Sequence, residues 1–463
     1  MPLALVAVAG WSLFAFAGAY RWTVAPLVVG ALVTALIHRP RLLIPPYRRL
    51  DGWLLAAIVG GLLQLVPCPR LLRDVLSPTA ATVHSQLELD AAPATAFRAL
   101  SLDPLATAWS LATAAACLIV FWTARRLFER SSPRRVVSGI AWCGLTLAVI
   151  VFIQRAISPH QIYGFWTPIV RTPHPTPLGP FVNRNDLAAW LLMAIPLVLG
   201  YAAARVVSRG EGREVSAQLA SLVDTRMVAL TGALVLMSAA LVATLSRSGL
   251  IGLGLALLTM GVVGRRRLGV GGSGVFVAAI AVLFVLALPY ANASALAGRL
   301  TDTLPADVGG RLSIWRETWA MAQDFLAVGI GVGAFERGML VYQQGSRLMF
   351  INHAHNEYLQ VLTEGGLLIA FAVLAAIIVG ASLVIQHLRT DSARTFWIRA
   401  GALGALVGVG AQSMWDTALR MPANGVLFAI IAAVALHAPT VRTSDRSKSP
   451  DGRRPDTSVR VEN

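Results

Sequence analysis

The sequence predicts an all-α polytopic membrane protein with about 12 transmembrane helices. Three observations predict this fold. Hydrophobic residues make up 56% of the 463 residues and charged residues make up 13%, whereas about a quarter is usual in a soluble domain. The apolar residues also form twelve runs, each long enough to cross a bilayer. These features exclude a disordered chain, a coiled coil and an ordinary soluble enzyme.

The twelve predicted spans share a length close to the ~20 mostly apolar residues that a membrane-crossing helix needs. In chain order they cover roughly residues 2–19, 22–38, 52–67, 105–123, 136–153, 187–204, 228–244, 248–264, 274–291, 366–386, 397–415 and 423–438.

Basic residues are concentrated in the short loops after spans 2, 4, 8 and 10, in the segments HRPRLLIPPYRR, RRLFERSSPRR, RRR and HLRTDSAR. Cytoplasmic loops carry an excess of Lys and Arg, so these four loops and both termini are predicted to be cytoplasmic. The net charge of +16 is then mostly a consequence of topology. No nucleic-acid partner is needed to explain it.

The chain is predicted to form one integral membrane domain, residues 1–438, followed by a polar, basic tail, 439–463, that we expect to be disordered. A large helical periplasmic loop, residues 292–365, is predicted between spans 9 and 10 as an extracytoplasmic subdomain. Loops of this length are usually functional or disordered.

One segment of this loop, GGRLSIWRETWAMAQDF, has the pattern of an amphipathic helix. Leu312, Trp315 and Trp319 recur at helical spacing, and Arg311 and Arg316 lie elsewhere on the turn. Such a helix, with Trp on its apolar side, is suited to lying at the bilayer surface.

Ionisable residues are nearly absent from the middle of the spans, where Gln412 is the most polar side chain. They are concentrated instead at the predicted extracytoplasmic ends of the spans. Coupled transporters commonly place Asp, Glu or His at membrane depth, so this distribution favours chemistry at the outer surface. The boundary residues are Arg184, Asp186, Arg247, Arg311, Arg316, His353, His355, Glu357, Glu364, Asp416 and Arg420.

Two of these arginines are candidates for anion binding. Arg247 lies in TLSRSGLIG, in a turn that must be tight because the flanking spans are short. It either snorkels to lipid phosphates or grips phosphate oxygens of a substrate. Arg184 lies in GPFVNRNDLAAW, where Asn185 or Asp186 is expected to cap the following helix. An arginine beside a helix N-terminus is also suited to anion binding.

The segment NHAHNEYLQVLTEGG has the densest set of chemical groups. If it were extended, His353, His355 and Glu357 would share one face and could hold a metal. The following EYLQVL run indicates a helix, in which residues two apart do not share a face. A histidine acting as a general base is therefore the favoured interpretation.

The segment GIGVGAF resembles a nucleotide-binding loop by its three glycines. It follows no clear strand and lies on the predicted extracytoplasmic side, so a flexible turn is the better interpretation. The three cysteines predict neither a disulfide framework nor a metal site.

Together these segments resemble the O-antigen ligase and O-antigen polymerase superfamily of bacterial membrane glycan transferases. The resemblance runs from about Asn183 to Ile369 through FVNRNDLAAWLLMAIP, TLSRSGLIGLG, GRLSIWRETWAMAQDFLAVGIGVGAFE and HAHNEYLQVLTEGGLL. The family signature is a His, then Asn, Ser or Gln, then nine residues and a Gly, and His355, Asn356 and Gly366 fit it. Ile369 stands where the family usually has Gly, Thr or Tyr.

The resemblance implies a glycan transferase of the bacterial inner membrane that takes a glycan from a polyprenyl-pyrophosphate carrier on the periplasmic face. The acceptor is a lipid A-core sugar in ligases and a carrier-linked glycan in polymerases, and the sequence does not choose between them. The reaction implied is metal-independent, cofactor-free and inverting.

The resemblance also implies roles for particular residues. The essential histidine of the family corresponds to His355, and its essential arginines to Arg184 and Arg247, with Arg311 or Arg316 less securely placed. The remaining candidates for substrate contact are His353, Asn356 and Glu364.

Two other functions are compatible with the same sequence. A transporter of a small anion or sugar, including relatives linked to inorganic-carbon uptake, would use the twelve spans and the same arginines. A non-catalytic scaffold in a polysaccharide assembly complex would need the 292–365 loop but not His355.

Overall fold

The computed structural model describes residues 2–87, 97–168, 178–210, 224–265, 267, 304–345, 350–390 and 395–437. The predicted span 274–291 and the predicted tail 439–463 lie outside the described residues. Nearly all of the described secondary structure is helical, which confirms the all-α class.

Fifteen α-helices are described. Their bounds in chain order are Pro2–Phe14, Arg21–His38, Arg48–Leu63, Arg70–Leu76, Ala80–Leu87, Pro104–Arg130, Arg134–Ile157, Arg184–Gly210, Thr225–Ala243, Arg247–Arg265, Leu304–Asp324, Phe335–Tyr342, Glu357–Thr390, Phe396–Gln412 and Pro422–Ala435. Two 3₁₀ turns, Phe16–Gly18 and Ala418–Arg420, and a two-stranded antiparallel pair, Pro67–Pro69 with Phe97–Ala99, accompany them.

Seven of these helices are long and apolar enough to cross a membrane. They begin at Arg21, Pro104, Arg134, Arg184, Thr225, Arg247 and Glu357. The other predicted spans within the described residues are shorter helices, at Pro2–Phe14, Arg48–Leu63, Phe396–Gln412 and Pro422–Ala435. A polytopic helical membrane protein is therefore confirmed, because each predicted span within the described residues contains a helix.

The helix Arg184–Gly210 lies at the centre of the bundle, and 89% of its most apolar window is buried. It packs closely along Phe396–Gln412 because two glycines face each other: a Cβ added to Gly200 would lie 2.2 Å from the Trp397 carbonyl oxygen, and one added to Gly401 would lie 2.2 Å from that of Pro196. This close approach holds the two helices side by side.

One end of the bundle is held by a buried ion pair. Arg125 donates to both carboxylate oxygens of Asp51 at 2.6 and 2.8 Å, and Trp122 donates to the same carboxylate. Arg125 also donates to the Arg41 carbonyl at 3.0 Å, and the Tyr47 hydroxyl donates to that of Leu436. The basic loops predicted after spans 2 and 4 therefore meet at one end of the molecule.

The opposite end carries a smaller helical layer with its own apolar core. That core consists of Ala80, Val83, Leu102, Met321, Phe325, Ile330, Ala334, Phe335, Met339 and Ala354. The described part of the predicted 292–365 subdomain thus packs against the helix Ala80–Leu87, which lies between predicted spans 3 and 4.

The amphipathic helix predicted in this layer forms, as Leu304–Asp324. Thr318 and Met321 are buried, whereas Leu312 and Trp319 are 41% and 49% exposed. Trp315 is half-buried, and its indole N–H donates to the Ala354 carbonyl at 2.9 Å. The position of this helix at the bilayer surface stays a prediction.

The helix Glu357–Thr390 is broken at Gly366, where φ is +59° and ψ is −170°. A Cβ there would lie 2.5 Å from the Gly329 nitrogen and 2.6 Å from the Ala327 carbonyl carbon. Only glycine fits both the backbone angle and the space. The break separates a short outer helix from the apolar helix beyond it, which agrees with the predicted start of span 10.

Candidate functional site

The outer ends of several helices converge on one region. The Gln412 amide donates to the Asn185 carbonyl at 3.1 Å, and the Glu357 N–H donates to the Ser413 carbonyl at 2.9 Å. A Cβ on Gly249 would lie 2.7 Å from that of Ala188. These contacts place the helix ends that carry the candidate arginines beside the loop that carries the two histidines.

Each of the three converging helices is capped by the residue before it. The Asn183 side chain accepts from the Asn185 N–H at 2.9 Å, Ser246 Oγ accepts from the Gly249 N–H at 3.3 Å, and Asn356 Oδ1 accepts from the Leu359 N–H at 3.0 Å. The predicted cap at Asn185 or Asp186 is wrong, because the helix begins earlier, at Arg184.

Two of these helices begin with the candidate arginines, Arg184 and Arg247. Free N–H groups and the helix dipole make an N-terminus partly positive, and each guanidinium adds a full charge. Both arginine side chains are partly exposed. The arrangement is suited to binding an anion such as a phosphate group.

The loop that carries His355 is held in an unusual conformation. His355 has φ of +50°, a value that is uncommon for a residue with a side chain. The neighbouring Ala354 is fixed on both sides, since its carbonyl accepts from Trp315 and its N–H donates to Gln360 Oε1 at 2.9 Å. Strained backbone of this kind is concentrated at functional sites and persists only where surrounding contacts enforce it.

His355 lies beside a buried carboxylate. Its Nδ1 is 3.9 Å from Asp416 Oδ1, and the Asp416 side chain is 2% exposed while that of His355 is 31% exposed. The imidazole therefore has a carboxylate on one side and an opening towards solvent. An imidazole with one side open to solvent can reach a proton on a bound molecule, so His355 is a candidate general base.

A second cluster lies next to this pair. Arg420 contacts Glu357 at 3.2 Å and Glu364 at 2.6 Å. The Gln360 amide donates to the other oxygen of Glu364 at 3.0 Å and lies 3.3 Å from His353 Nδ1. The cluster thus connects the histidine loop to the region between the last two helices.

Charge interactions within this cluster are strong. Burial lowers the pKa of Arg420, but the carboxylates of Glu357 and Glu364 outweigh this effect and raise it above its ordinary value. Glu364 is 1% exposed and also accepts from the Gly333 N–H at 2.8 Å. These contacts give Glu364 a role in holding the site together, in addition to the substrate contact that the sequence suggested.

The surroundings of His353 make it poorly suited to accept a proton. Burial lowers the pKa of His353 to about 3, and the positive charge of Arg420 adds to this effect. His353 is therefore neutral and a weak base near pH 7. His355, whose side chain is 31% exposed and lies beside Asp416, is the favoured candidate for the general base.

The lowered pKa of His353 predicts a stability effect. The unfolded chain binds a proton here below pH 6.5, whereas the folded chain does so only near pH 3, so stability is lost as the pH falls through that window. When the pH is lowered from about 7 to about 4, the melting temperature of His353→Gln should fall less than that of the wild type. Thermal melts in detergent would measure this, with His160→Gln as the control, and identical pH slopes for both variants would contradict it.

The GIGVGAF segment is a turn, but it is tied to its surroundings rather than flexible. The Gly331 N–H donates to the Glu364 carbonyl and the Val332 N–H to Gln64 Oε1, both at 3.0 Å. A Cβ on Gly329 would lie 2.2 Å from the Glu364 carbonyl oxygen. The glycines thus allow close backbone contact with the Gly366 break, and a nucleotide-binding role is not needed to explain them.

The two arginines of the helix Leu304–Asp324 lie in different surroundings. Arg311 is partly exposed and lies one turn before Trp315, which contacts the histidine loop. Arg316 is exposed and lines a separate groove with Gln86 and Tyr342. Because residues four apart lie on the same side of a helix, Arg311 is on the side nearer His355.

The described residues include no group of three or more His, Cys, Asp or Glu side chains that could hold a metal ion. His353, His355 and Glu357 do not form the ligand set considered for an extended segment. Glu357 begins the helix and contacts Arg420, and His355 lies beside Asp416.

The central part of this site matches a known family. Residues 232–375 match the family model described as O-antigen ligase. This confirms the resemblance seen in the sequence. The matched region comprises 144 of the 463 residues, from 232 to 375, and includes Arg247, Arg311 and His355. No curated protein matches the chain closely enough to be named as a relative.

Other parts of the site lie outside the matched O-antigen ligase region. Arg184 precedes it, and Asp416 and Arg420 follow it, yet the fold brings them to the same helix ends. Ile369, the departure from the family pattern, is 6% exposed and packs against Gly60, whose added Cβ would lie 3.0 Å from Ile369 Cγ1. The departure from the family pattern therefore lies at a helix-packing contact.

Sequence reasoning identified Asp416 and Arg420 only as charges at the outer boundary, and it assigned no role to Gln64. The available signal was the presence of isolated polar residues at the ends of apolar helices. Their positions beside His355 and Glu364 depend on contacts between distant segments.

Proposed function

We propose that the protein is a membrane glycan transferase that moves an oligo- or polysaccharide from polyprenyl pyrophosphate to a sugar hydroxyl on the periplasmic face. It would act as an O-antigen ligase or as a surface-polysaccharide polymerase. The observation that carries the proposal is the position of His355, 3.9 Å from the buried Asp416, next to helix N-termini that begin with Arg184 and Arg247.

In the proposed reaction, His355 removes the proton of the acceptor hydroxyl as its oxygen attacks the anomeric carbon of the donor sugar. The bond between that carbon and the pyrophosphate oxygen breaks in the same displacement, so the configuration inverts. The Asp416 carboxylate stabilises the imidazolium that forms. The proton then leaves to solvent through the exposed side of His355.

The departing pyrophosphate gains negative charge as the bond breaks. Arg184 and Arg247 at the helix N-termini are positioned to stabilise that charge, and Arg311 is the third candidate. Fixed donors of this kind each lower an activation barrier by roughly 3–4 kcal/mol. The bidentate geometry of arginine suits phosphate oxygens.

The membrane location follows from the substrate. A polyprenyl chain holds the donor at the bilayer, so the sugar–phosphate group and a lipid A-core or carrier-linked acceptor must meet at the membrane surface. We propose that the site faces the periplasm from the bacterial inner membrane and that both termini are cytoplasmic. The gathering of the basic loops around Arg41 and Arg125 at the other end supports this orientation.

Reconstitution would test the proposal directly. The purified protein in vesicles should transfer a labelled oligosaccharide from polyprenyl pyrophosphate to an added acceptor and release polyprenyl pyrophosphate. Presenting lipid A-core and carrier-linked glycan separately distinguishes ligase from polymerase. In cells, deletion of a polymerase would leave single repeats on lipid A-core, and deletion of a ligase would leave bare core with carrier-linked chains. Absence of transfer to either acceptor by folded protein would refute the proposal.

The proposed chemistry requires no metal ion. We therefore expect EDTA to leave the transfer rate in washed vesicles unchanged, because the arginines supply the positive charge. A metal-dependent glycosyltransferase assayed in the same buffer serves as the control. Loss of activity that is restored by adding zinc or magnesium would contradict the arginine-only mechanism.

No observation among the described residues favours the transporter alternative. The buried ionic groups described here lie at the two ends of the bundle, around Asp51 and around Asp416. Uptake of a small anion by reconstituted protein, dependent on Arg247 and independent of a glycan acceptor, would be needed to revive it.

A further inference from the structure

A large cavity lies far from the candidate site. Its volume is about 920 Å³, and it opens between the helices that begin at Pro2, Arg134, Arg184 and Thr225. On the central helix, the cavity is lined at Arg205, whereas the candidate site lies at Arg184. At ~1.5 Å per residue these positions are about 30 Å apart, so the cavity lies at the opposite end of the bundle.

One part of the cavity is strongly basic. Its lining residues include Arg134, Arg135, Arg205 and Arg226, and no acidic residue is among the lining residues that the structure describes. Asp224, which does not line the cavity, pairs with Arg205 at 3.1 Å. The Nε atom of Arg134 is buried and has no hydrogen-bond partner within the described residues.

Three helix N-termini add to this positive charge. The helices that begin at Pro2, Arg134 and Thr225 all start at the cavity, and none has an acidic residue in its first turn. Neither Pro133 nor Asp224, the residues before the last two, makes a side-chain capping bond. The Arg134 N–H donates to Ser132 Oγ at 3.4 Å, and the positive ends of the three helix dipoles favour an anion in the cavity.

The other part of the cavity has an apolar lining with exposed side chains. Leu3, Val6, Trp142, Leu145 and Leu230 line it, and Leu3 and Trp142 are 79% and 57% exposed. Trp is typical of the membrane–water interface. A ligand here must combine an anionic head with a long apolar tail.

We infer that this cavity binds an anionic phospholipid, with its phosphate against Arg134, Arg226 and the three helix N-termini and an acyl chain along the apolar wall. Basic pockets between transmembrane helices on the cytoplasmic side are suited to such head groups. The C-terminal segment 439–463 is an unfavourable occupant, because its six Lys and Arg against four Asp and Glu give a net charge of 6 − 4 = +2. The inference does not depend on the proposed catalytic function.

Native mass spectrometry of the full-length protein, titrated with phosphatidylglycerol and with phosphatidylcholine, would test it. The wild type should bind phosphatidylglycerol more tightly. Arg134→Gln and Arg226→Gln should each weaken that binding about fivefold, and the double variant about 30-fold. The control is Arg48→Gln with Arg49→Gln, which removes the same charge from exposed positions outside the cavity and should retain the wild-type affinity.

Three results would overturn the inference. These are equal affinity of the wild type for both lipids, equal loss in the cavity and control variants, and displacement of the lipid by inorganic phosphate as readily as by phosphatidylglycerol. Thermal melts in detergent identify a variant that fails to fold. If the double variant fails to fold, the lipid affinities of the folded single variants, Arg134→Gln and Arg226→Gln, still test the inference.

Discussion

Replacing His355 with alanine should lower kcat for glycan transfer about 10²- to 10⁴-fold, the range that a positioned general base contributes. The effect should fall on kcat rather than on KM, because the proton moves only as the acceptor oxygen attacks. Initial rates in vesicles with a labelled polyprenyl-pyrophosphate donor would measure both constants. His355→Gln should be equally inactive, since an amide has no titratable base.

Two other histidines provide matched controls. His160 is exposed in a different loop, and His160→Ala should retain full activity. His353→Ala should be less damaging than His355→Ala, because the pKa of His353, about 3, already makes it a weak base. Normal activity of folded His355→Ala protein would remove the base from the mechanism.

Replacing Arg247 with alanine should lower kcat about 10²- to 10³-fold, as the loss of one fixed charge-stabilising donor does in other enzymes. Arg184→Ala should have an effect of similar size. Arg247→Lys should recover part of the rate, because it keeps the charge and loses the bidentate geometry. The same vesicle assay, with product release followed separately from donor binding, would measure these effects.

Arg316→Ala is the matched control for the arginines. It removes the same charge from the same predicted side of the membrane, but from a groove outside the converging helix ends. Its activity should stay near that of the wild type. Equal losses in Arg316→Ala and Arg247→Ala would indicate a general effect of surface charge, and unchanged activity in Arg247→Ala would refute the proposed pyrophosphate site.

The helices could be predicted from sequence because burial in a bilayer demands long apolar runs. The tight turn at Arg247 could also be predicted from sequence, because the two flanking apolar runs leave little chain between them. The structure has two helices of 19 residues there. The Gly366 position was recognised from its spacing to His355. Its physical reason, a backbone contact with Gly329, required the fold.

The carboxylate behind His355 could not be assigned from sequence. Asp416 lies sixty-one positions after His355 (416 − 355 = 61), and a contact over that separation leaves no local pattern. The same holds for Gln64, whose amide donates to the Val328 and Glu364 carbonyls. Apolar periodicity reports which face of a helix is buried but does not report which distant polar group it meets.

The amide of Gln360 determines which nitrogen of His353 carries a proton. Gln360 Oε1 faces the Ala354 N–H at 2.9 Å and Nε2 faces the Glu364 carboxylate at 3.0 Å, so Nε2 is also the donor to His353 Nδ1 at 3.3 Å. With Nδ1 accepting, the neutral ring is the Nε2–H tautomer. His353 Nε2 therefore carries the hydrogen-bond donor of the ring, whereas His355, two residues further on, is the ring proposed to accept a proton.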